Sequence, residues 1–214
     1  MVKLIPTKEE WYSALSERHG EKIQNIFESA TVAICGLGGL GSHISFALAR
    51  AGVGKLILID FDIVDITNLH RQQYKANQIG MNKTQALKDN LLEIAPYAAI
   101  ETHKDFISEN NAEELLEEAD IICEAFDDAE CKAMLVNLVT ERMPEKYLVA
   151  ASGMAGFGSA NTVQTRRISK RFYICGDGTS DVQAEGSLVS SRVMLCAAHQ
   201  AHTVLRILTE QFET

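Results

Sequence analysis

The segment GLGGLG, from Gly36 to Gly41, constrains the fold of this chain more than any other feature. It follows TVAIC, a short apolar run typical of a buried parallel strand, and precedes SHISFALARAGV, which is typical of a helix ending near Gly52. Glycines let the chain turn tightly and let its backbone approach phosphate oxygens, while the helix N-terminus offers unpaired N–H groups. We therefore predict a strand–turn–helix unit in which Gly36, Gly38, Gly39 and Gly41 bind a nucleotide.

The same alternation of strand and helix continues along most of the chain. Further strands are predicted at 55–60, 98–102, 120–126 and 146–152, with intervening helices at 82–95, 110–119 and 127–143. The alternation predicts an α/β fold, a Rossmann-like and mostly parallel sheet with helices on both faces. Two alternating runs, 161–167 and 171–175, predict an appended antiparallel pair, and an amphipathic helix is predicted over 187–212.

The first 30 residues are predicted to form a helical arm ahead of the first strand. Thr7 and Glu10 have the spacing of a capping box, and Gly20 is placed to end the first helix before a second short one at 21–28. No internal repeat, low-complexity tract or linker interrupts the sequence. We therefore predict one domain over residues 1–214, with residues 1–30 as its N-terminal arm.

Composition limits the classes of function. The 214 residues are 46% hydrophobic and 23% charged, as in ordinary globular proteins, and no run approaches the ~18 apolar residues of a membrane span. The first residues lack an apolar export signal, so we expect a cytoplasmic protein. The net charge of −9 disfavours general nucleic-acid binding, which requires clustered lysine and arginine. The five cysteines show no paired spacing, so we expect free thiols and no structural zinc.

An acidic residue at the end of the second predicted strand supports a nucleotide site. Asp60 follows Gly36 by about two dozen residues, the position at which a carboxylate accepts hydrogen bonds from ribose hydroxyls. An NAD-binding domain is the simplest interpretation of this spacing. The loop that follows, DFDIVDITNLHRQQY, argues against it, because it carries more charged and amide groups than a dinucleotide requires.

The loop and the next helix supply groups suited to a triphosphate. Arg71 and Lys83 add two cations near the phosphates, and ATP needs such neutralisation while pyrophosphate leaves. Asn68 can hydrogen-bond a phosphate or ribose oxygen, Gln72 can support the loop, and Asp62 can orient Arg71. We therefore predict ATP as the nucleotide. A surface ion pair for Arg71 and a solvated position for Lys83 stay open as alternatives.

Asp127 follows the fourth predicted strand, at the carboxyl edge where such sheets bind ligands. A carboxylate there can hold Mg²⁺ directly or through water, and the ion would reduce repulsion between this acidic protein and ATP. The alternative is that Asp127 caps the helix that follows, since Asp is a preferred N-cap residue.

Together these motifs resemble the ThiF/MoeB/HesA family, relatives of ubiquitin-activating enzymes. The matching pieces are GLGGLG, D-F-D-x-V-x-x-x-N-L-x-R-Q from Asp60 to Gln72, Lys83, and FDDAECK from Phe126 to Lys132. The tail, YICGDG followed by SSRVMLCAAHQAHTVLRIL, is similar to the shorter ThiF-like members found beside bacterial thiamine genes. The match is best over residues 33–152 and implies magnesium-dependent adenylylation by ATP.

The implied substrate is the C-terminal glycine carboxylate of a small ubiquitin-like sulfur carrier ending in Gly-Gly, of the ThiS type that serves thiamine thiazole biosynthesis. The resemblance also implies a homodimer in which an N-terminal arginine enters the neighbouring site. Arg18 is the candidate, and a charge on the surface of the first helix is the alternative that stays open for it. Asp128 stands where the family usually has Asn, which removes an amide donor. Cys175 is the nearest candidate for a sulfur-bearing thiol, although a structural cysteine is the favoured interpretation.

Three other functions fit the same residues. A molybdopterin-type carrier, or a transfer RNA in the cyclic threonylcarbamoyl-adenosine branch, would be activated by the same chemistry. The acidity of the chain weighs against RNA. A non-catalytic module that senses nucleotide or docks a carrier would have less need of Arg71, Lys83 and Asp127.

Overall fold

Within residues 5–214, which the computed structural model describes, seven strands form one sheet in the order β3-β2-β1-β4-β5-β7-β6. They are β1 (Thr31–Cys35), β2 (Lys55–Ile59), β3 (Ala99–His103), β4 (Ile121–Glu124), β5 (Tyr147–Ala151), β6 (Gln164–Arg167) and β7 (Phe172–Gly176). All neighbouring strands are parallel except β6 and β7, which are antiparallel. The predicted Rossmann-like α/β fold with an appended antiparallel pair is confirmed.

Helices cover both faces of the sheet. In the described part of the chain they are α1 (Lys8–His19), α2 (Glu21–Ser29), α3 (Gly39–Ala51), α4 (Lys83–Leu92), α5 (Ala112–Leu116), α6 (Ala129–Arg142), α7 (Val182–Glu185) and α8 (Ser190–Leu208). Alternate residues of β1 divide the core: Val32 and Ile34 pack with α3, α4 and α8, whereas Ala33 and Cys35 pack with α5 and α6. None of the helices in these residues has the length and apolar content to cross a membrane.

Several predicted helix boundaries follow from local hydrogen bonds. Thr7 and Glu10 form the reciprocal capping box of α1, with N···O distances of 2.7 and 3.1 Å. Gly52 ends α3 in a left-handed conformation, with φ of 84°. The helix predicted at 82–95 ends earlier, at Leu92, and residues 93–94 form a turn. Both α1 and α2 lie within the predicted arm, of which residues 1–4 lie outside the described range.

The segment before β6 differs from its prediction. A strand was predicted from residue 161, but Ala160–Thr162 form one turn of 3-10 helix, and β6 begins at Gln164. The side chain of Ser159 accepts a hydrogen bond from the Asn161 N–H at 3.3 Å, and this local bond competes with strand formation. The short α7 lies in a loop for which no helix was predicted. It forms because the side chain of Asp181 caps its first turn and Gly186 ends it in a left-handed conformation.

A buried ion pair ties the two loops after β5 and β7 to the start of α8. Arg192 binds Asp177, and their side chains are only 5% and 6% exposed. Arg192 also donates to the carbonyl oxygens of Gly158 and Ser159, at 2.6 and 2.9 Å. Burial alone would raise the pKa of Asp177, but backbone N–H donors, among them that of Ser180, and the arginine hold it well below its ordinary value.

Candidate active site

A cleft of about 580 Å³ lies at the carboxyl edge of the sheet, above the ends of β1, β2, β4 and β5. Strand order changes direction between β1 and β4, which is where open α/β sheets bind ligands. The structure places ten of the twelve predicted site residues in its lining: Gly36, Gly38, Gly39, Asp60, Asp62, Asn68, Arg71, Gln72, Lys83 and Asp127. Gly41 and Arg18 are not part of the lining.

The glycine turn abuts the end of β4. Gly36 has φ of 90°, and a Cβ there would lie 2.9 Å from the carbonyl oxygen of Ala125, so only glycine allows this approach. Gly38 precedes α3, whose first N–H groups have no partner within the helix and therefore favour an anion. This end of α3 opens into the cleft, because Gly38 and Gly39 both line it.

Gly41 has a different role from its neighbours. It is buried in the first turn of α3, and a Cβ there would lie 1.8 Å from the carbonyl oxygen of Gly36. The close packing of helix against turn therefore excludes any side chain at this position. Gly41 shapes the turn from behind, while the backbone that faces the cleft belongs to Gly36, Gly38 and Gly39.

Asp60 joins the glycine turn to the loop after β2. Its carboxylate accepts the N–H of Leu37 at 2.7 Å and the N–H of Asp62 at 2.8 Å. Burial raises the pKa of Asp60, and the nearby Lys83 charge opposes this effect. Each carboxylate oxygen has a second lone pair, so Asp60 can hold the turn and still accept a ribose hydroxyl.

Lys83 is a cation fixed in place by Asp62. Its ammonium lies 2.7 Å from the Asp62 carboxylate, and the lysine side chain is 7% exposed whereas the aspartate is 49% exposed. The Lys83 N–H also donates to the Asp62 carbonyl oxygen at 3.0 Å. An unpaired buried ammonium would be costly, so Asp62 orients Lys83 rather than Arg71.

Arg71 lies over the glycine turn. Its aliphatic part would be 3.8 Å from a Cβ on Gly39, and its Nη1 donates to the Thr67 carbonyl oxygen at 3.2 Å. Asn68 ends a 3-10 turn in which its side chain accepts the N–H of Asp65 at 2.9 Å. The loop thus folds on itself and presents the guanidinium and the Asn68 amide to the cleft.

Gln72 is buried beside the same turn. Its side-chain nitrogen would lie 3.7 Å from a Cβ on Gly38, and its side-chain oxygen has no hydrogen-bond partner within residues 5–214. A buried acceptor without a partner is costly, so this oxygen is suited to a donor that a ligand supplies.

The two acids after β4 divide their roles. Asp128 caps α6, and its carboxylate accepts the Cys131 N–H at 2.8 Å, which lowers the pKa of Asp128. The alternative that Asp127 caps this helix is therefore wrong. Asp127 is exposed at the bend before the helix and lines the cleft. Asp at position 128 serves as well as Asn would for capping, because both are preferred N-cap residues.

Two other candidates lie elsewhere. Arg18 is exposed in the last turn of α1. Cys175 is fully buried in β7, and burial raises the pKa of its thiol. Hydrogen bonds between this thiol and the hydroxyls of Thr165 and Thr203 partly oppose the rise. A protonated and inaccessible thiol is unsuited to carrying sulfur, which favours the structural interpretation.

Sequence reasoning assigned no role to Glu124 and Lys132. Lys132 lines the cleft and forms an ion pair with Glu124, the last residue of β4, at 2.6 Å. Glu124 lies in an apolar run that resembles core, so its sequence context gave no signal. Lys132 falls within FDDAECK, and that motif was the available signal.

A Rossmann-like domain with a glycine turn, a strand-end carboxylate and cations in one cleft defines a nucleotide-binding protein. The chain belongs to the ThiF family, whose match covers residues 12–214.

Curated relatives come from the same group of proteins. Ubiquitin-like modifier-activating enzyme 5 of Caenorhabditis elegans is 42% identical over 95 residues, which are 43% of this chain and 23% of that protein. The adenylyltransferase and sulfurtransferase UBA4 of Scheffersomyces stipitis is 31% identical over 194 residues, 88% of this chain and 43% of the relative. The chain thus matches less than half the length of either protein.

A solved structure shares the whole fold. The tRNA N6-threonylcarbamoyladenosine dehydratase TcdA of Escherichia coli, in complex with ATP, has a TM-score of 0.85 at 20% identity. The match covers 97% of this chain and 98% of that one. The similarity is one of fold, and the neighbour holds ATP.

Proposed function

We propose that this protein is a cytoplasmic adenylyltransferase that uses ATP to activate the C-terminal glycine carboxylate of a ubiquitin-like sulfur carrier of the ThiS type, in thiamine thiazole biosynthesis. The observation that carries the proposal is the position of Arg71 and Lys83 beside a glycine turn at the carboxyl edge of the sheet. A redox domain transfers no phosphoryl group and has less need of these cations. Membership of the ThiF family and the ATP bound by TcdA support the proposal.

The chemical step needs no protein nucleophile. The carrier carboxylate attacks the α-phosphorus of ATP, and an oxygen–phosphorus bond forms. The bond from that phosphorus to the bridging oxygen breaks, and pyrophosphate leaves with the electron pair. Negative charge grows on the leaving group, where Arg71 and Lys83 stabilise it. Holding both reactants in one cleft supplies the rest of the acceleration.

The remaining groups bind and orient ATP. The backbone of the glycine turn and the N-terminus of α3 hold phosphate, and Asp60 holds ribose. The Asn68 amide donates to a phosphate or ribose oxygen, and the buried oxygen of Gln72 accepts a hydroxyl of the nucleotide. Each of these side chains already lies in the lining of the cleft.

Magnesium fits the donor set at Asp127. Mg²⁺ is commonly bound through one or two carboxylates, several waters and substrate phosphates, and Asp127 is an exposed carboxylate in the lining. The lining also contains six acidic side chains and only three basic ones, so ATP needs added positive charge there. The ion would supply charge neutralisation.

A second copy of the chain is part of the proposal. Arg18 lies outside the lining of the cleft in its own chain, so a role for it in the site requires delivery from a partner. A homodimer in which Arg18 enters the neighbouring cleft would add a fourth cation. Replacement of Arg18 by Ala should then lower activity, and mixing this variant with an Arg71→Ala variant should restore part of it.

A transfer RNA is the second candidate substrate, because TcdA covers nearly the full chain. Electrostatics argue against it. Two of the basic residues in the β6–β7 hairpin are already engaged within the chain. Arg167 donates to backbone carbonyl oxygens and stacks on Tyr173. Arg171 donates to the carbonyl oxygen of Pro144 and stacks on Tyr147. Arg166 and Lys170 remain, which is a small basic surface in a chain of net charge −9.

Exchange of labelled pyrophosphate into ATP tests the proposal. We expect exchange that depends on a carrier ending in Gly-Gly and that is lost when the terminal glycine is removed. Exchange supported by transfer RNA alone would favour the second candidate. ATP binding without exchange under any condition would favour a non-catalytic module.

Asp127→Ala should abolish carrier-dependent exchange while leaving the melting temperature close to that of the wild type. Asp128→Asn is the matched control, because asparagine keeps the α6 cap and should retain exchange. Unchanged exchange in Asp127→Ala at limiting magnesium would remove the metal from the proposal.

A further inference from the structure

We propose that Lys132 donates a hydrogen bond to a phosphate oxygen of the bound nucleotide and that the buried Glu124 holds it in position. The inference rests on the proposed function for the identity of the nucleotide, ATP, and adds a further group to the same site.

Glu124 connects three segments at the floor of the cleft. Its side chain is fully buried, and its two oxygens accept from the Lys132 ammonium at 2.7 and 2.6 Å. It also accepts the N–H of Phe126 at 2.8 Å and that of Ala151 at 3.4 Å. One carboxylate therefore fixes the bend that carries Asp127, the end of β5 and the lysine on α6.

Stability alone does not explain this pair. Burial raises the pKa of Glu124, against the effect of Lys132, so the site disfavours the charged carboxylate by desolvation. Buried ion pairs can often be replaced by well-packed neutral groups of similar volume without loss of stability. The presence of this ion pair beside a ligand cleft is therefore better explained by a contact between its exposed residue, Lys132, and a ligand.

The exposed member is the ammonium of Lys132. Its side chain is 26% exposed and lines the cleft, whereas that of Glu124 is completely covered. An ammonium has three N–H donors, and the two carboxylate oxygens take two of them. The third is left for a ligand, and a donor held by two strong hydrogen bonds loses little freedom when the ligand binds.

The position of the pair selects phosphate as its ligand. The glycine turn lies against the end of β4, since a Cβ on Gly36 would contact the Ala125 carbonyl oxygen beside Glu124. Lys83 and Arg71 follow β2, on one side of this turn, and Lys132 follows β4, on the other. A phosphate chain bound at the turn is thus flanked by cations on both sides.

Calorimetric titration with MgATP and with adenosine tests the contact. Lys132→Met should weaken MgATP binding about ten- to a hundredfold, as expected for a lost hydrogen bond to a charged group, and should leave adenosine binding within about twofold. Lys132→Arg should retain most of the affinity for MgATP, because it keeps both the pairing with Glu124 and spare donors. Lys170→Met is the matched control: it removes the same charge outside this cleft and should change neither affinity.

The double variant Glu124→Gln/Lys132→Met separates contact from folding. It replaces the pair with neutral groups of similar size, so it should fold even where a lone Lys132→Met does not. It should bind MgATP as weakly as Lys132→Met, because the ammonium is absent in both variants and the glutamine oxygen can still accept the N–H of Phe126 that fixes the bend carrying Asp127. MgATP binding at wild-type strength in the double variant, or an equal loss for adenosine, would overturn the inference.

These outcomes are distinct from failure of the proposed function. A protein that discriminates MgATP through Lys132 but exchanges no pyrophosphate would refute the proposed reaction and keep the contact. A protein that exchanges pyrophosphate and loses no MgATP affinity in the double variant would keep the reaction and refute the contact. Absence of MgATP binding by the wild type would refute both.

Discussion

Replacing two glycines of the same turn by alanine should separate packing from phosphate binding. Gly41→Ala places a methyl group 1.8 Å from the carbonyl oxygen of Gly36 and 3.0 Å from Ile34. Gly36 cannot easily yield, because its N–H is bonded to the carbonyl oxygen of Ile59 and its φ is 90°. Helix and turn must therefore move apart by roughly an ångström, the kind of overpacking that costs ~1–3 kcal/mol or more.

Two terms set the net effect of Gly41→Ala. Alanine in a helix gains about 1 kcal/mol over glycine, which offsets part of the cost of the clash. A clash with backbone, which cannot rotate away as a side chain can, lies at the upper end of the overpacking range. We expect a net loss of about 2 kcal/mol in the free energy of unfolding, or about 4–8 °C in melting temperature for a chain of this size.

Gly38→Ala should affect nucleotide binding more than stability. The Cβ of an alanine at position 38 would be 3.7 Å from the Gln72 side chain, an ordinary contact, but ψ of −144° at a φ of −72° lies outside the β and α regions that alanine prefers. With no steric clash to add to this backbone strain, the loss of stability should be about 1 kcal/mol, smaller than that of Gly41→Ala. The added methyl group lies in the cleft lining, so MgATP affinity should fall at least about tenfold.

Urea unfolding followed by circular dichroism, with MgATP titration of each folded variant, measures both effects. Wild-type stability in Gly41→Ala would refute the packing argument. A loss of stability in Gly38→Ala with unchanged MgATP affinity would refute the assignment of that backbone to phosphate.

Three further predictions concern other parts of the site. Asp177→Asn should lower the free energy of unfolding at pH 7 by about 3 kcal/mol, since Arg192 loses its buried partner. The folded protein lowers the pKa of Asp177, so the difference in unfolding free energy between wild type and variant should shrink as the pH falls below the ordinary pKa of an aspartate. Urea unfolding at pH 7 and at pH 3 measures this change. Cys131 is the only cysteine of the described residues that is not buried, so iodoacetamide should label it first. Burial raises the pKa of its thiol, so labelling should become faster only above the ordinary thiol pKa. Cys131 also lines the cleft, so MgATP should slow the labelling, which mass spectrometry follows. Tyr74→Phe removes a 2.7 Å hydrogen bond to the Leu37 carbonyl oxygen and should cost about 1 kcal/mol in unfolding free energy, measured in urea.

Much of the fold follows from local sequence. The strands β1, β2 and β5 begin and end within a residue or so of their predicted bounds, because β-branched apolar runs flanked by polar residues leave little choice. The end of α4 was less predictable. Pro96 forbids a helix through it but does not determine where the helix stops, and the chain leaves the helix at Leu92.

Contacts distant in sequence were the part that could not be predicted. The antiparallel pairing of β6 and β7 follows from two alternating runs, but the parallel pairing of β7 with β5 depends on the loops tied by Asp177 and Arg192. Most of the site could be predicted, since carboxyl ends of parallel strands share an edge. The pairing of acids with bases could not be predicted. The sequence suggested that Asp62 orients Arg71, but in the structure Asp62 forms its ion pair with Lys83.

The two lysines of the cleft share one design. Each stands at or near the start of a helix and is bound by an acid from the strand or loop before it, Lys83 by Asp62 and Lys132 by Glu124. In a cleft lined by twice as many acids as bases, an untethered ammonium would have several competing partners. Pairing each lysine with its own acid lowers the net positive charge but fixes the direction of its remaining donors, and the proposed stabilisation of a departing pyrophosphate requires donors with a fixed direction.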